Sequence, residues 1–389
     1  MTWRFLTSGE SHGRGLLLVV DGLPAGLAVR PEDLSEELAR RRRGHGRGPR
    51  MALERDEIQV WGGLRHGHTT GAPVGMELPN AEAELWEQAL DPWHTVPEAE
   101  EARRITAPRP GHADLPGAIK YRHHDLRNVL ERASARTTAP RTVAGTLARC
   151  LLATCHIVIR GAVLSIGEHA VPGPVHDEAW ERARHSPLGC ATEEGERLLA
   201  TRIDEARERG DSLGGVVVIS ARGVPAGLGS GVEWDRRLDA RLGGALLAIP
   251  GIKGVEIGEA FASAALPGSA VHDPIDGSRG EWRRETNHAG GLEGGMSNGE
   301  EIVLRLAMKP IPTLQRPLAS FDVRTHRAVE AHAERSDVCA VPAACVVAEA
   351  MVAWVLGGEL VEQFGGDTVE DLRERLDAYR HRAKGWLLR

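Results

Sequence analysis

Two hydrophobic periods alternate along this chain, and most of its length can be parsed from them. Residues 16–20 and 216–220 are short apolar runs between glycine-rich or polar segments, which predicts buried strands. Residues 57–61, 157–164 and 302–308 also read as strands, and 252–258 as a turn entering one. Pro31-Glu32-Asp33 opens a helix with acids in its first turn, and arginines 40–43 close it, both ends suiting the helix dipole. Helical character is predicted from about Asp125, over 143–154 beyond Pro140, and across most of the charged 178–209 segment. Leu238, Leu242, Leu246 and Ile249 keep helical spacing until Pro250-Gly251 stops them. Only residues 338–356 approach membrane-span length; Pro342 and Glu349 interrupt them, so a buried core helix is expected. The acidic, proline-broken segment 81–104, with Trp86 and Trp93, reads as a surface excursion, and 273–287 as a polar loop. No repeat emerges, and βαβ regularity is weak. The pattern favours an α+β fold with mixed or antiparallel sheets.

Composition narrows the function more than the fold. The 389 residues carry a formal net charge of −7, which argues against a general nucleic-acid binder. Aromatics make up only 4% of the chain, so the core must rest on Ala, Leu and Val. Lysine occurs only at 120, 253, 309 and 384; every other basic side chain is arginine. The five cysteines are odd in number and form no CxxC pair, so neither a disulfide framework nor a metal site is indicated, and a cytoplasmic setting is expected. The first residues lack the apolar core of a signal peptide.

Positive charge is concentrated locally instead. Residues 109–141 hold seven Lys or Arg, three His and only three acids. Glycine and proline fill the front half, so cationic and titratable groups sit on a loop and then along a helix. Such an arrangement suits a small polyanion, although a solvated basic helix would look the same. Residues 40–50 place six arginines among glycines with no acid between them, a pattern that also fits RNA. Residues 287–299 contain five closely spaced glycines without the spacing of a dinucleotide or P-loop motif. His12, in a polar glycine loop, could be an ordinary exposed histidine.

Eight blocks, in order, resemble the chorismate synthase family. They are SGESHG at 8–13, GHGRGPRM at 44–51, RPGHAD at 109–114, RASAR at 132–136, PGIKGVEIG at 250–258, HAGGLEGGMSNG at 288–299, KPIPT at 309–313 and ERSDVCAVP at 334–342. The resemblance spans nearly the whole chain and implies a single domain over residues 1–389, built as a β-α-β sandwich with helices layered between antiparallel sheets. Residues 371–389 would add a basic helical tail. The implied reaction is an anti 1,4-elimination that converts 5-enolpyruvylshikimate 3-phosphate into chorismate and phosphate. It would require reduced FMN, in a cytoplasmic homotetramer of the shikimate pathway.

By the same resemblance, His12, His112 and Asp337 would be catalytic. Ser11, Arg41, Arg47, Arg50, Arg109 and Arg136 would bind substrate, with Arg41 and Arg47 also matching the family's NADP contacts. The flavin would be held by Arg132, Ala133, Ser134, Pro250, Gly251, Gly294, Lys309, Pro310, Ile311, Pro312, Thr313 and Arg335. No metal, nucleic acid or membrane is implied. NADPH would act only indirectly, through a separate flavin reductase. Three positions depart from the commonest pattern: His45 stands where Tyr is frequent, Gly251 where Ala is usual, and Thr137 where an acid often follows. An FMN-dependent oxidoreductase acting on a small polyanion is the alternative, and an RNA-binding protein a more distant one.

Overall fold

A computed structural model describes residues 3–48, 57–277, 282–334 and 336–386. Two antiparallel sheets enclose a layer of helices. The first sheet takes β1 (Arg4–Gly9), β2 (Gly15–Asp21), β3 (Gln59–Gly62) and β4 (Val74–Pro79) in the order β1-β2-β4-β3. The second comprises β5 (Val158–Ile166), β6 (Gly215–Arg222), β7 (Ile252–Ile257) and β8 (Ile302–Met308), ordered β7-β8-β6-β5, with the short His169–Ala170 strand at its edge. This is the expected β-α-β sandwich.

The helices are α1 (Pro31–Arg42), α2 (Pro97–Arg103), α3 (Asp114–Tyr121), α4 (Arg127–Ala133), α5 (Thr138–Thr154), α6 (Asp177–His185), α7 (Glu193–Arg209), α8 (Leu238–Leu247), α9 (Val341–Phe364) and α10 (Val369–Trp386). The layer between the sheets is built mainly on α9, which packs along α5 and receives α1 and α8. Its apolar residues are nearly all buried, so the segment long enough to cross a membrane is the central core helix. Ridges of Ala and Val let α5 and α9 approach closely; a Cβ on Gly145 would lie 2.3 Å from the Ala350 carbonyl. One apolar cluster runs from Leu16, Leu18 and Val20 of β2 through Leu147 and Val352 to Ile219 and Leu304 of the second sheet.

Three expectations change. Residues 16–20 are not buried throughout: Leu16, Leu18 and Val20 face the helices, while Leu17 and Val19 point outward, about half exposed. An all-apolar strand can present either face, so its sequence does not say which side is covered. The front half of 109–141 is not all loop, because α3 forms within it. Pro116 falls in the first turn of α3, where a missing N–H costs nothing. Helix α5 begins at Thr138, so Pro140 likewise lies inside its first turn rather than before it. The C-terminal segment is docked on the body. Leu372 and Leu376 are buried, Tyr379 Oη donates to the Ala226 carbonyl at 2.8 Å, and Arg380 donates to the Cys155 carbonyl at 2.8 Å.

A small satellite core of Ile105, Ala118, Leu126, Val129 and Leu130 sits apart from the main one. It ties α3 to α4 and the chain at Ile105. All five cysteines are free thiols, four of them buried.

Candidate active site

A cavity of about 370 Å³ opens between this satellite core, the loop after β1, the end of α1 and the loop that follows β8. Residues separated by more than 300 positions meet there. The lining takes Ser11 and His12 from the β1–β2 loop, Arg41 from the last turn of α1, Arg47 from the loop after it, and Arg109 and His112 from the loop before α3. Ala133, Ser134 and Arg136 come from the α4–α5 junction, Pro250 and Gly251 from the turn before β7, and Lys309 through Thr313 from the segment after β8. Asp337 completes the set.

Each histidine rests on a buried carboxylate. His112 Nδ1 lies 2.6 Å from Asp114 Oδ1, and the fork of Arg109 grips the same carboxylate at 2.8 and 3.0 Å. Burial opposes the charge on Asp114, but hydrogen bonds from His112 and Arg109 outweigh it and hold the carboxyl well below its ordinary range. An ionised carboxylate only accepts, so Nδ1 of His112 donates to it. Arg109 also approaches Nδ1 at 3.0 Å, but a protonated nitrogen cannot accept that contact, and the shorter bond to Asp114 fixes the roles. Arg109 Nη1 reaches Thr313 Oγ1 at 3.0 Å, tying this loop to the one after β8.

His12 is held more elaborately. Glu131, on α4, accepts from the His12 main-chain N–H at Oε2 and from its Nδ1 at Oε1, both 2.8 Å. Arg127 Nη1 also donates to Oε1 at 3.1 Å. Burial raises the Glu131 carboxyl, yet the His12 hydrogen bonds and Arg127 prevail and lower it. The imidazole lies over Trp86, ring centroids 4.1 Å apart, with the guanidiniums of Arg103 and Arg127 4.2 and 4.8 Å from the indole. The 81–104 segment is therefore only partly a surface excursion: Trp93 is exposed, but Trp86 is buried against a site residue.

Two further ties order the rim. Asp337 accepts from Arg47 Nη1 and from the Gly48 N–H, both at 2.6 Å, closing the 44–48 loop on the segment before α9. Ser11 Oγ meets Ser134 Oγ at 3.0 Å, and Arg136 Nη1 donates to the Ser11 carbonyl at 2.9 Å. Lys309 Nζ donates to the Gly111 carbonyl; burial, and then the neighbouring Lys253, lower its pKa. His45, at the unusual position, pairs through Nε2 with Asp204 Oδ1 at 2.7 Å, outside the cavity.

Not every expected residue gathers here. Arg132 turns the other way, donating to Thr7 and to the Gly9 carbonyl on β1. Gly294 lies in the glycine-rich hairpin near Gly231 and is not part of the lining. Arg50 and Arg335 fall outside the described residues. Lys120 and His124 are exposed around the α3–α4 connection, and none of Lys120, His123 and His124 lines the cavity. Sequence reasoning overlooked Asp114, Glu131, Trp86 and Glu334; three of them sit inside or beside recognised blocks, and Glu131 and Trp86 meet His12 from far away in sequence.

The lining suits a polyanion beside a flat ring. Arg41, Arg47, Arg109, Arg136 and Lys309 face the carboxylates of Glu334 and Asp337, so cations are in excess. Leu130, Ala133, Ala135, Met308, Ile311 and Ala340 supply apolar wall. Comparison with known proteins agrees. The family model described as "Chorismate synthase" matches residues 3–361. The chain belongs to the chorismate synthase family. It is 55% identical to the chorismate synthase of Moorella thermoacetica over 378 residues, covering 97% of this chain and 98% of the relative. It is 50% identical to that of Desulforamulus reducens over 385 residues, with 97% and 98% covered. A solved structure titled "Crystal Structure of Chorismate Synthase" superposes with a TM-score of 0.80 at 37% identity, covering 99% of each chain. Family membership makes the chain a lyase of aromatic amino-acid biosynthesis.

Proposed function

We propose that this cavity eliminates phosphate from 5-enolpyruvylshikimate 3-phosphate to give chorismate, with reduced FMN bound against its apolar wall. The observation that carries the assignment is the pairing of two carboxylate-anchored histidines with an excess of arginine in one cavity. The substrate has two carboxylates and a phosphate, and guanidinium forks bind such groups bidentately. Arg41, Arg47, Arg109 and Arg136 would hold these anions, with Ser11 as an additional hydrogen-bonding group and Arg50 contributing from beyond the described segment. His112, beside Arg109, would donate a proton to the departing phosphate. His12 would act as the second acid–base group, facing the cofactor. Asp337, held by Arg47 and the Gly48 N–H, would take the ring proton.

Ala133, Ser134, Pro250, Gly251 and residues 309–313 would hold FMN, with Arg335 contributing from outside the described residues and Arg132 and Gly294 joining on assembly or ligand binding. When bound, the reduced flavin supplies transient electron density for the elimination and is not consumed. NADPH would serve through a separate reductase, and the chain would work as a single-domain protein in a cytoplasmic homotetramer.

Purified protein, reduced FMN and 5-enolpyruvylshikimate 3-phosphate, mixed anaerobically, should release chorismate and phosphate in equal amounts without net flavin oxidation. Absence of product would defeat the proposal; stoichiometric flavin oxidation would favour an oxidoreductase. His112→Ala should lower kcat by at least about 100-fold while FMN binding persists, as expected on losing a general acid.

A further inference from the structure

We propose that Glu131 is a positioning residue that fixes which nitrogen of His12 serves the reaction, with Trp86 limiting the tilt of the ring. The inference rests on the assignment of His12 to the site, and deepens it. Two oxygens of one buried carboxylate receive three donors. Oε2 accepts the His12 main-chain N–H at 2.8 Å. Oε1 accepts His12 Nδ1–H at 2.8 Å and Arg127 Nη1–H at 3.1 Å. The Ser11 N–H adds a fourth tie, to the Glu131 carbonyl at 3.0 Å. Side chain and backbone of His12 are thus referred to one rigid helical residue, in a site where Glu131 is only 2% exposed.

The tautomer follows from this geometry. An ionised carboxylate offers no proton, so Nδ1 must carry one, and Nε2 is the ring nitrogen that Glu131 leaves for acid–base work. Rotation about the ring's bond is restrained by the Nδ1 contact, and tilt by the stacked indole 4.1 Å away. Trp86 is itself held by Arg103 and by Arg127, the same arginine that steadies Glu131. Glu131 touches no expected ligand atom, because it stands behind His12 and is absent from the cavity lining.

The test compares wild type with Glu131→Gln and Glu131→Asp, using His12→Asn to assign the His12 signals in protein carrying ¹⁵N-histidine. At about pH 8.5, where an ordinary imidazole is neutral, wild-type His12 should show a protonated Nδ1. A glutamine supplies one oxygen in place of two, so one of the two His12 donors must face an amide NH₂. Glu131→Gln should therefore lower kcat by about 30-fold or more in the fraction that remains folded, with KM for 5-enolpyruvylshikimate 3-phosphate little changed. Glu131→Asp keeps two acceptors and should recover at least about a third of that loss on a logarithmic scale.

A bare Nδ1 in the wild type would overturn the inference, as would a Glu131→Gln kcat within about 3-fold of wild type. So would a loss that merely follows the fraction of unfolded protein. If Glu131→Gln does not fold, the spectrum of the wild type and the kinetics of Glu131→Asp decide. Failure of the wild type to make chorismate would instead count against the proposed function, while the tautomer remains readable from the spectrum.

Discussion

Arg40 and Arg41 are neighbours on α1, both buried, and they belong to opposite kinds of site. Arg40 points into the helical layer. Its fork takes Glu349 of α9 at 2.8 and 2.9 Å, and Nη1 also reaches Glu37 at 2.7 Å. Arg149 joins Glu37 at 3.2 Å and Glu349 at 3.0 Å, and Arg184 pairs with Glu37 at 2.9 Å and with Glu36 at 2.6 Å. Burial opposes the charge on Glu349, but Arg40 and Arg149 override it and hold the carboxyl below its ordinary range. Here three arginines and three glutamates answer one another. Arg41 lines the cavity, where cations outnumber carboxylates. Burying charge is costly in both places. In the layer Glu349 and Glu37 compensate Arg40, and the cations of the cavity wall are the ones the proposed function assigns to the substrate's anions. The same α1 register sets both, so the ion cluster in the layer also fixes where Arg41 points.

Removing one member of the closed cluster should have the largest effect. Glu349→Ala leaves Arg40 and Arg149 without their principal partner in a buried layer, and stability should fall by about 3–5 kcal/mol. Urea unfolding followed by circular dichroism would measure it. A loss below about 1 kcal/mol would mean that water or rearrangement screens the cluster, and the contrast with the cavity would lose its physical basis.

Arg41→Ala should behave in the reverse way. Its stability change should be less than about a third of that of Glu349→Ala, whereas substrate affinity should drop by about 1.5–3 kcal/mol, the scale of a charge-assisted hydrogen bond. That corresponds to roughly 10- to 150-fold in Kd, within reach of calorimetry. An unchanged Kd would remove Arg41 from the substrate site. A stability loss equal to that of Glu349→Ala would make it part of the structural cluster.

The sequence did not separate these two arginines. Both lie in one basic run, and the partner that claims Arg40 is 309 positions away on a helix legible only as apolar. The strands, the core helix and the recognised blocks could be read because each depends on local period or contiguous residues. Long-range pairing could not. Glu131 was visible only as the residue before an RASAR block, and Trp86 as an aromatic in an acidic excursion, until folding brought both to His12. Helix α3 was hidden by Pro116 and Gly117, which normally signal a loop. Gly117 instead allows close packing, since a Cβ there would lie 2.4 Å from Val129 Cγ1. Arg132 carries the opposite lesson. It stands in a matched block three residues from Ala135, yet α4 ends between them and its side chain points at β1.

The smallest effect concerns Glu334, which joins the two regimes: it lines the cavity but is neutralised within the chain. Burial raises its carboxyl, while the hydrogen bond from His332 at 3.2 Å and the charge of Arg127 more than reverse that, to about 2. Its folded pKa lies below the ordinary 4.5, so its stabilising contribution is complete above that value. The contribution fades as pH falls from about 4.5 towards 2, because in that window the unfolded chain takes up a proton that the folded state does not. Arg127 stays charged throughout this window. Glu334→Gln should therefore be less stable than wild type at neutral pH, and the gap should narrow at pH 3. Urea midpoints at about pH 7, 4.5 and 3 would trace it. A gap that stays constant across the three values would show that Glu334 is held by packing alone, and would place it with the cavity wall rather than with the paired charges.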